Sequence, residues 1–368
     1  MEQNRFIRFT APALLAGAFI LPSCLGSGDA GSTASSAAGA GAASSGGTAS
    51  AQFGGNAGWT GGNVPPHGGT GAEAAIPDVT YVEDHVLRAE RTLEFTTVPG
   101  GELRRFREQV TSDGTGHVRL DLLAEWDDAS GAWLPPAPEY VTAYRMSGRW
   151  NVLLRDLHLG ERKALEDNYD WQVVGRESLA GRPCLVTRAD NVHGQGDVLL
   201  YHEDAPGGLL LGYAYFDENG DLQASLKTTA LDESPDLNGV EWPLPGASHK
   251  DWIPGVHDAV VGVTTRDHGQ LPPGFYLVEQ HLATPLPPSP LSPRRWDRWS
   301  DGLRTGIVLQ WEGPGDPNSA QAPTEFMALQ IEDWEYRMDT RRDALEFSVQ
   351  GSLTPPQTST VLAGYATF

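Results

Sequence analysis

Apolar and polar residues alternate with a period of two along much of this chain, the spacing of strands with one covered face. Leu87, Ala89, Leu93 and Phe95 share a face in the first such run, which Arg91 interrupts. In the next, Val118, Leu120, Leu122, Ala124 and Trp126 face one way, and His117, Arg119, Asp121 and Glu125 face the other. Pro99-Gly100-Gly101 and Asp113-Gly114-Thr115-Gly116 punctuate these runs, with residue types that supply tight turns. The pattern predicts a β-meander. From Tyr140 to Asp167 the spacing drifts toward helical, with Val152, Leu153, Leu157 and Leu165 broken by Gly160, and predicts one or two short helices. Strands return between Tyr169 and Leu231.

The strand Leu209–Phe216 is unusual. Leu209, Leu211, Tyr213 and Tyr215 fall on one face, and Leu210, Gly212, Ala214 and Phe216 on the other. Both faces are apolar, so both are expected to be covered. Its partner alternates, with Leu222, Ala224, Leu226 and Ala230 against Gln223, Ser225, Lys227 and Thr229. Asn219-Gly220 between them predicts a hairpin closed by a type I′ turn, which needs positive φ at both central residues. A curved sheet with an apolar concave side accounts for the contrast between the two strands. Farther on, Lys250-Asp251-Trp252-Ile253-Pro254-Gly255 reads as a boundary. Strand-like runs at Ala259–Thr265, Phe275–Leu282, Gly306–Trp311, Phe326–Arg337 and Leu345–Gly351 predict a smaller antiparallel sheet, with a stiff Pro-rich loop at Thr284–Pro293.

The chain has 368 residues, enough for about two domains. The N-terminus changes this picture. Arg5 and Arg8 precede an apolar run from Ala11 to Leu21 and then Leu21-Pro22-Ser23-Cys24. A basic start, a short apolar core and small residues make an export signal, too short to span a membrane. Its ending resembles the lipobox of bacterial lipoproteins, which implies that Cys24 carries the lipid anchor. Cys184 is the only other cysteine, which leaves no intramolecular disulfide and makes Cys184 a small core residue. From Leu25 to Ala75 the chain is nearly all Gly, Ala, Ser and Thr, with too little apolar bulk to fold. It is expected to be a tether reaching roughly 40 Å. The organisation is therefore a signal at 1–24, a tether at 25–75, one folded domain at 76–250 and a second at 251–368.

Charge narrows the partners. With 48 acidic and 26 basic residues the formal net charge is −22, which argues against nucleic acid, whose phosphates require Lys and Arg. It also argues against a basic patch docked on an anionic membrane.

Two ordered sets of segments carry a family resemblance. In the first domain they are Tyr169, the strand with its ESLAGRPCLVTRAD turn, Tyr201, Gly208-Leu209-Leu210-Leu211, and FDENGDLQASLKTTAL. In the second they are LPPGFYLVEQ, WSDGLRTGIVLQW and EFSVQGSLTPPQTSTVLAGYA. This order resembles the MucB/RseB family of periplasmic regulators, whose first domain has the LolA-like fold. The resemblance implies an α+β fold, mostly antiparallel β: a curved half-barrel plugged by helices, followed by a smaller antiparallel sheet domain. It also implies an acyl-chain lipid or lipoprotein as ligand, lining residues among Val118, Leu120, Leu122, Trp126, Leu209, Leu211, Tyr213 and Tyr215, and a membrane anti-sigma protein as partner. The implied location is the periplasmic side of a bacterial envelope. Leu25 after the lipidated Cys24 favours the outer over the inner membrane, by the sorting rule of enteric bacteria. A lipid or lipoprotein carrier without a regulatory partner and a structural envelope lipoprotein are the alternative readings.

No enzymatic, cofactor or metal motif competes with this. The sequence has no phosphate-binding G-x-x-x-x-G-K-[ST], no H-E-x-x-H and no G-x-S-x-G elbow. His202-Glu203-Asp204 is expected to be a solvated strand end, since successive strand residues point to opposite faces. Asp217, Asn219 and Asp221 have the alternate spacing of a calcium loop, but Leu222 stands where a Gly is needed, so they are read as turn residues. Glu332, Asp333 and Glu335 are read as a charged strand edge.

Overall fold

A computed structural model of the chain describes residues 72–96, 103–138, 141, 144–145, 156–243, 247–269, 271–285, 292–313, 327–330, 336–342 and 345–366. Cys24, the signal, the tether up to residue 71, the Pro99-Gly100-Gly101 turn, residues 286–291 of the Pro-rich loop, and Glu332, Asp333 and Glu335 lie outside them.

Two short strands, β1 (Ala72–Glu73) and β2 (Val79–Thr80), lead into a meander of β3 (Val86–Thr96), β4 (Leu103–Asp113), β5 (Val118–Asp127) and β6 (Ala132–Leu134). After the helix Arg162–Asn168 a second meander runs through β7 (Tyr169–Leu179), β8 (Arg182–Asn191), β9 (Asp197–Glu203), β10 (Gly208–Phe216) and β11 (Leu222–Asp232). Antiparallel pairing of β11 with β3 joins the two into one curved, open sheet ordered β1-β7-β8-β9-β10-β11-β3-β4-β5-β6, with β2 against β10. A second sheet follows in the chain. It contains β12 (Ala247–Asp251), β13 (Tyr276–Pro285), β14 (Arg294–Ser300), β15 (Thr305–Glu312), β16 (Met327–Gln330), β17 (Tyr336–Arg342) and β18 (Leu345–Gly351), ordered β12-β13-β14-β15-β18-β17-β16. The α+β, mostly antiparallel architecture expected from the sequence is the one observed.

Every residue of β10 is buried, as its two apolar faces require. The hairpin after it differs from expectation. Gly220 has φ +83°, but Asn219 is not in the left-handed region. The Gly220 amide donates to Asp217 O at 3.0 Å and the Asp217 amide to Asp221 O at 3.0 Å, a turn followed by a left-handed Gly. The Asp217 carboxylate favours this longer loop by accepting amide hydrogen bonds from Asn219 and Asp221, both 2.9 Å. The tight two-residue turn with positive φ at both positions sits instead between β7 and β8, at Ala180 (φ +51°) and Gly181 (φ +77°).

A second departure is Ala259–Thr265, which begins as the helix Asp258–Val261. Asp258 takes the amide and hydroxyl of Thr265, each at 2.8 Å, and the amide of Gly255 at 3.2 Å. Gly262, at φ +90°, ends the helix. These local bonds outcompete an extended run.

The core of the second sheet gathers Phe275, Trp299, Val308, Phe347 and Val349, and the terminal helix Pro355–Ala366 adds Val361 and Tyr365. A polar chain pins that helix. Tyr365 donates to Asp297 Oδ2 at 2.9 Å, Trp299 Nε1 donates to the Tyr365 oxygen at 3.0 Å, and Arg295 Nε meets Asp297 Oδ1 at 2.8 Å. Burial outweighs Arg295, the Tyr365 hydroxyl and the Gln280 amide and raises the Asp297 pKa.

Candidate functional site

Strand register assembles one continuous buried face on the first sheet. Leu200, Tyr213, Leu226, Leu93 and Phe106 follow one another across β9, β10, β11, β3 and β4. A neighbouring row runs Ala189, Val198, Tyr215, Ala224 and Phe95. Farther along β3, Ala89 pairs with Val110 and that with Leu120, while Leu87, Ser112 and Val118 form the next row. Five residues expected to line a cavity, Val118, Leu120, Leu122, Tyr213 and Tyr215, thus share this face.

The other three are displaced by bulges. Phe106 and Glu108 lie two apart on β4, so they share a face, and their partners are Glu125 and Leu122. The register shift adds Leu123 between those partners, which puts Trp126 on the opposite side from Leu122. There it is half-buried beside Trp133, with ring centroids 5.4 Å apart. On β10, Leu210 pairs with His202 and Tyr213 with Leu200. His202 and Leu200 share a face, so Leu210 joins Tyr213, Leu211 occupies the bulge and Leu209 points the other way. His202 is buried, not solvated, and its ring bonds Thr187 Oγ1 at 3.0 Å; burial lowers its pKa.

Arg91, the residue that broke the apolar pattern, lies on the buried face at 2% exposure. It stands directly opposite Glu108, itself fully buried. Arg91 Nε donates to Glu108 Oε1 at 2.7 Å, and Nη1 donates to Asp156 Oδ2 at 2.6 Å. The Tyr144 hydroxyl also donates to Glu108. A charge inside an apolar face is tolerated only when paired and hydrogen-bonded in this way. Asp156 belongs to the segment that leads into the helix Arg162–Asn168. Leu157 of that segment is buried, His158 pairs with Glu83, and the Leu159 amide donates to the Tyr81 hydroxyl at 2.8 Å. The segment lies over the face and leaves a cavity of about 20 Å³ lined by Tyr81, Arg91, Asp156, Leu157, Leu210 and Tyr213, among others. Ligand pockets begin at roughly 300 Å³, so the described part of the face around Arg91, Leu210 and Tyr213 holds no ligand-sized space. A larger groove of about 470 Å³, lined by Ala74, Ile76, Arg162, Glu166 and Trp171 among others, runs beside the helix Arg162–Asn168.

The turn Ser300–Arg304, between β14 and β15, fills one end of the half-barrel. The Tyr169 hydroxyl donates to Asp301 Oδ2 at 2.7 Å, and Tyr215 donates to Leu303 O at 3.0 Å. Burial raises the pKa of both tyrosines, with Asp301 adding to the effect, so both hydroxyls remain donors. Asn168 Nδ2 donates to Gly274 O at 2.9 Å and to Asp301 O at 2.8 Å. Arg304, 1% exposed, donates to Phe216 O at 2.8 Å and to Gln195 O. The Gly160 amide donates to Gly302 O at 2.7 Å. Gly302 has φ +109°, and a Cβ there would lie 2.9 Å from Leu165. Three of the segments quoted above for the family resemblance, at Tyr169, Gly274 and Asp301-Gly302-Leu303, therefore meet Tyr215 of β10 in one joint.

The chain is similar to MucB. The crystal structure of MucB matches with 18% identity over 77% of this chain and 93% of that one, at a TM-score of 0.45. MucB in complex with MucA(peri) matches with 17% identity over 76% and 91%, at 0.43. A putative outer membrane lipoprotein-sorting protein domain from Vibrio parahaemolyticus matches with 12% identity over 42% and 86%, at 0.18. No family model and no curated protein matches. The resemblance read from sequence and the structural comparison name the same proteins.

Sequence reasoning singled out Arg91 as an interruption but missed its partners. Glu108 and Asp156 lie 17 and 65 residues away, and only the meander and the crossing segment bring them together. The joint was missed as a joint, although Tyr169, Gly274 and Asp301–Arg304 belong to segments that carried the resemblance.

Proposed function

We propose that this protein is a cell-envelope lipoprotein, anchored through Cys24, that binds a membrane anti-sigma-type partner and whose half-barrel face receives an acyl chain. The observation that carries this reading is the joint. Arg304, Asp301, Tyr169 and Tyr215 lock the two sheets through buried hydrogen bonds, so a change on the half-barrel face is felt at the second sheet. A simple carrier has no need of that coupling.

The mechanism follows from linkage. The apolar face is closed by the segment around Asp156–Leu159, and an acyl chain binds only when that segment lifts. A ligand that requires one arrangement and a partner that requires the other oppose each other through the same equilibrium. The partner, a membrane anti-sigma-type protein, binds the closed form, and the acyl ligand releases it. The crystal structure of MucB in complex with MucA(peri) shows that protein binding a partner. The carrier alternative draws on the apolar face alone.

The test is capture of the full-length chain from envelope membranes after chemical crosslinking. A membrane protein with a cytoplasmic sigma-binding domain is expected, and Arg304→Ala is expected to weaken its recovery. Recovery of lipoproteins alone, equally by wild type and variant, contradicts the regulator reading and favours the carrier.

A further inference from the structure

We propose that the segment between β12 and β13 is a membrane-contact surface, in which Ile253, Val256 and Val260 enter the head-group layer of a lipid bilayer.

Single exposed apolar side chains are ordinary on a protein, whereas a group of them marks a contact site. Among the described residues eight large apolar side chains are exposed, and three of them, Ile253 at 50%, Val256 at 59% and Val260 at 48%, fall within eight residues of sequence. The segment is held in this pose from beneath. The Ile253 amide donates to His257 Nδ1 and the His257 amide to Ile253 O, each at 3.0 Å. Asp258 is the only Asp, Glu, Lys or Arg from Trp252 to Thr265, and its carboxylate accepts from the amides of Gly255 and Thr265. Val261 is buried, and the Trp252 ring packs on His257 at 5.5 Å and on the Arg295 guanidinium at 5.1 Å. A Cβ at Gly255 would meet nothing within 4 Å, so the turn stands clear of its surroundings. Polar groups face the protein and apolar side chains face out, the reverse of a solvated loop.

Area, charge and the tether choose a bilayer as the occupant. Three half-exposed aliphatic side chains fall far short of the about 800 Å² that each partner in a stable protein complex buries. Interfacial insertion has no such threshold and strengthens with each side chain buried. With a net charge of −22, apolar insertion is the route onto a membrane that remains to this chain. The tether expected from composition reaches roughly 40 Å, so a weak insertion is multiplied by the high local concentration of bilayer. That multiplication rests on the reading that Cys24 carries the lipid; the surface itself does not.

The experiment uses the mature chain from residue 24 with Cys24→Ser, which carries no lipid, and an environment-sensitive dye on Val256→Cys. Cys184, the other cysteine, is buried. Phosphatidylcholine vesicles are titrated in, with or without bromine on the acyl chains. The dye is expected to brighten by about twofold or more and to be quenched by the brominated lipid. The same dye on Leu134→Cys, an exposed apolar residue of β6, is expected not to respond. Adding Ile253→Asp/Val260→Asp is expected to abolish the response at Val256. On the lipidated chain the response is expected at about tenfold less lipid or lower. No lipid response at Val256 in either chain overturns the membrane-contact surface. An equal response at Leu134, or one that survives Ile253→Asp/Val260→Asp, also overturns it. Brightening that follows protein concentration without lipid overturns it in favour of contact with a second copy of the chain. A response at Val256 with no gain on the lipidated chain overturns the anchor reading alone and leaves the surface standing.

Discussion

At the scale of single residues, positions that break a pattern report on what surrounds them. Arg91 interrupts an apolar run because Glu108 and Asp156 receive it. Ala180 holds a left-handed conformation, at φ +51°, that costs a residue with a Cβ about 1–2 kcal/mol. Ala180→Gly is expected to stabilise the protein by about 1 kcal/mol in a denaturant titration. Gly302 is the opposite case, with φ +109° and no room for a Cβ beside Leu165. Gly302→Ala is expected to destabilise by about 1–3 kcal/mol, visible as a lower melting temperature. His158 adds a pH dependence. Burial alone would lower its pKa, but Glu83 and Asp156 outweigh burial and raise it above the usual value of about 6.5. A raised folded pKa favours the protonated folded form. This stabilisation is complete below about pH 6.5 and fades as pH rises through the folded value. His158→Gln should therefore lower the melting temperature more at about pH 5 than at about pH 9, whereas an equal loss at both would remove the ion pair from the account.

At the scale of elements, the strands were legible and their facing was less so. Period-two alternation located β3, β5, β10 and β11, since each buries one face or both. It misplaced Trp126 and Leu209 because a bulge is a property of two paired strands. One strand's sequence carries no record of its partner's register. The Asn219-Gly220 hairpin was found and its turn type was not, since the Asp217 side chain selects the longer loop. The short helix at Asp258 was read as strand because its stabilising bonds come from the Thr265 and Asp258 side chains. The terminal helix, implied only through the resemblance, is held by a buried chain of polar groups. Tyr365→Phe leaves Asp297 Oδ2 and the Trp299 N–H without that partner, which is expected to cost about 1–3 kcal/mol. Thermal unfolding followed by tryptophan fluorescence would read it, and a change within error would mean that the helix is held by its apolar contacts alone.

At the scale of the whole molecule, the turn Ser300–Arg304 of the second sheet is hydrogen-bonded into the first. Val118, Leu120 and Leu122 of β5 and Tyr213 and Tyr215 of β10 share the buried face of the sheet. The segment that lies over it was not legible, since it is polar where it matters, at Asp156 and His158, and gives no apolar signal. The joint was recognisable only as short similar segments, whose purpose is spatial. In the proposed function, partner and acyl ligand exclude each other through this linked pair of sheets. Native mass spectrometry of the full-length chain with its captured membrane partner, titrated with oleate, measures this directly. Two populations are expected, protein with partner or protein with ligand, with a fall of the first as the second grows. A stable species holding both partner and ligand would contradict it.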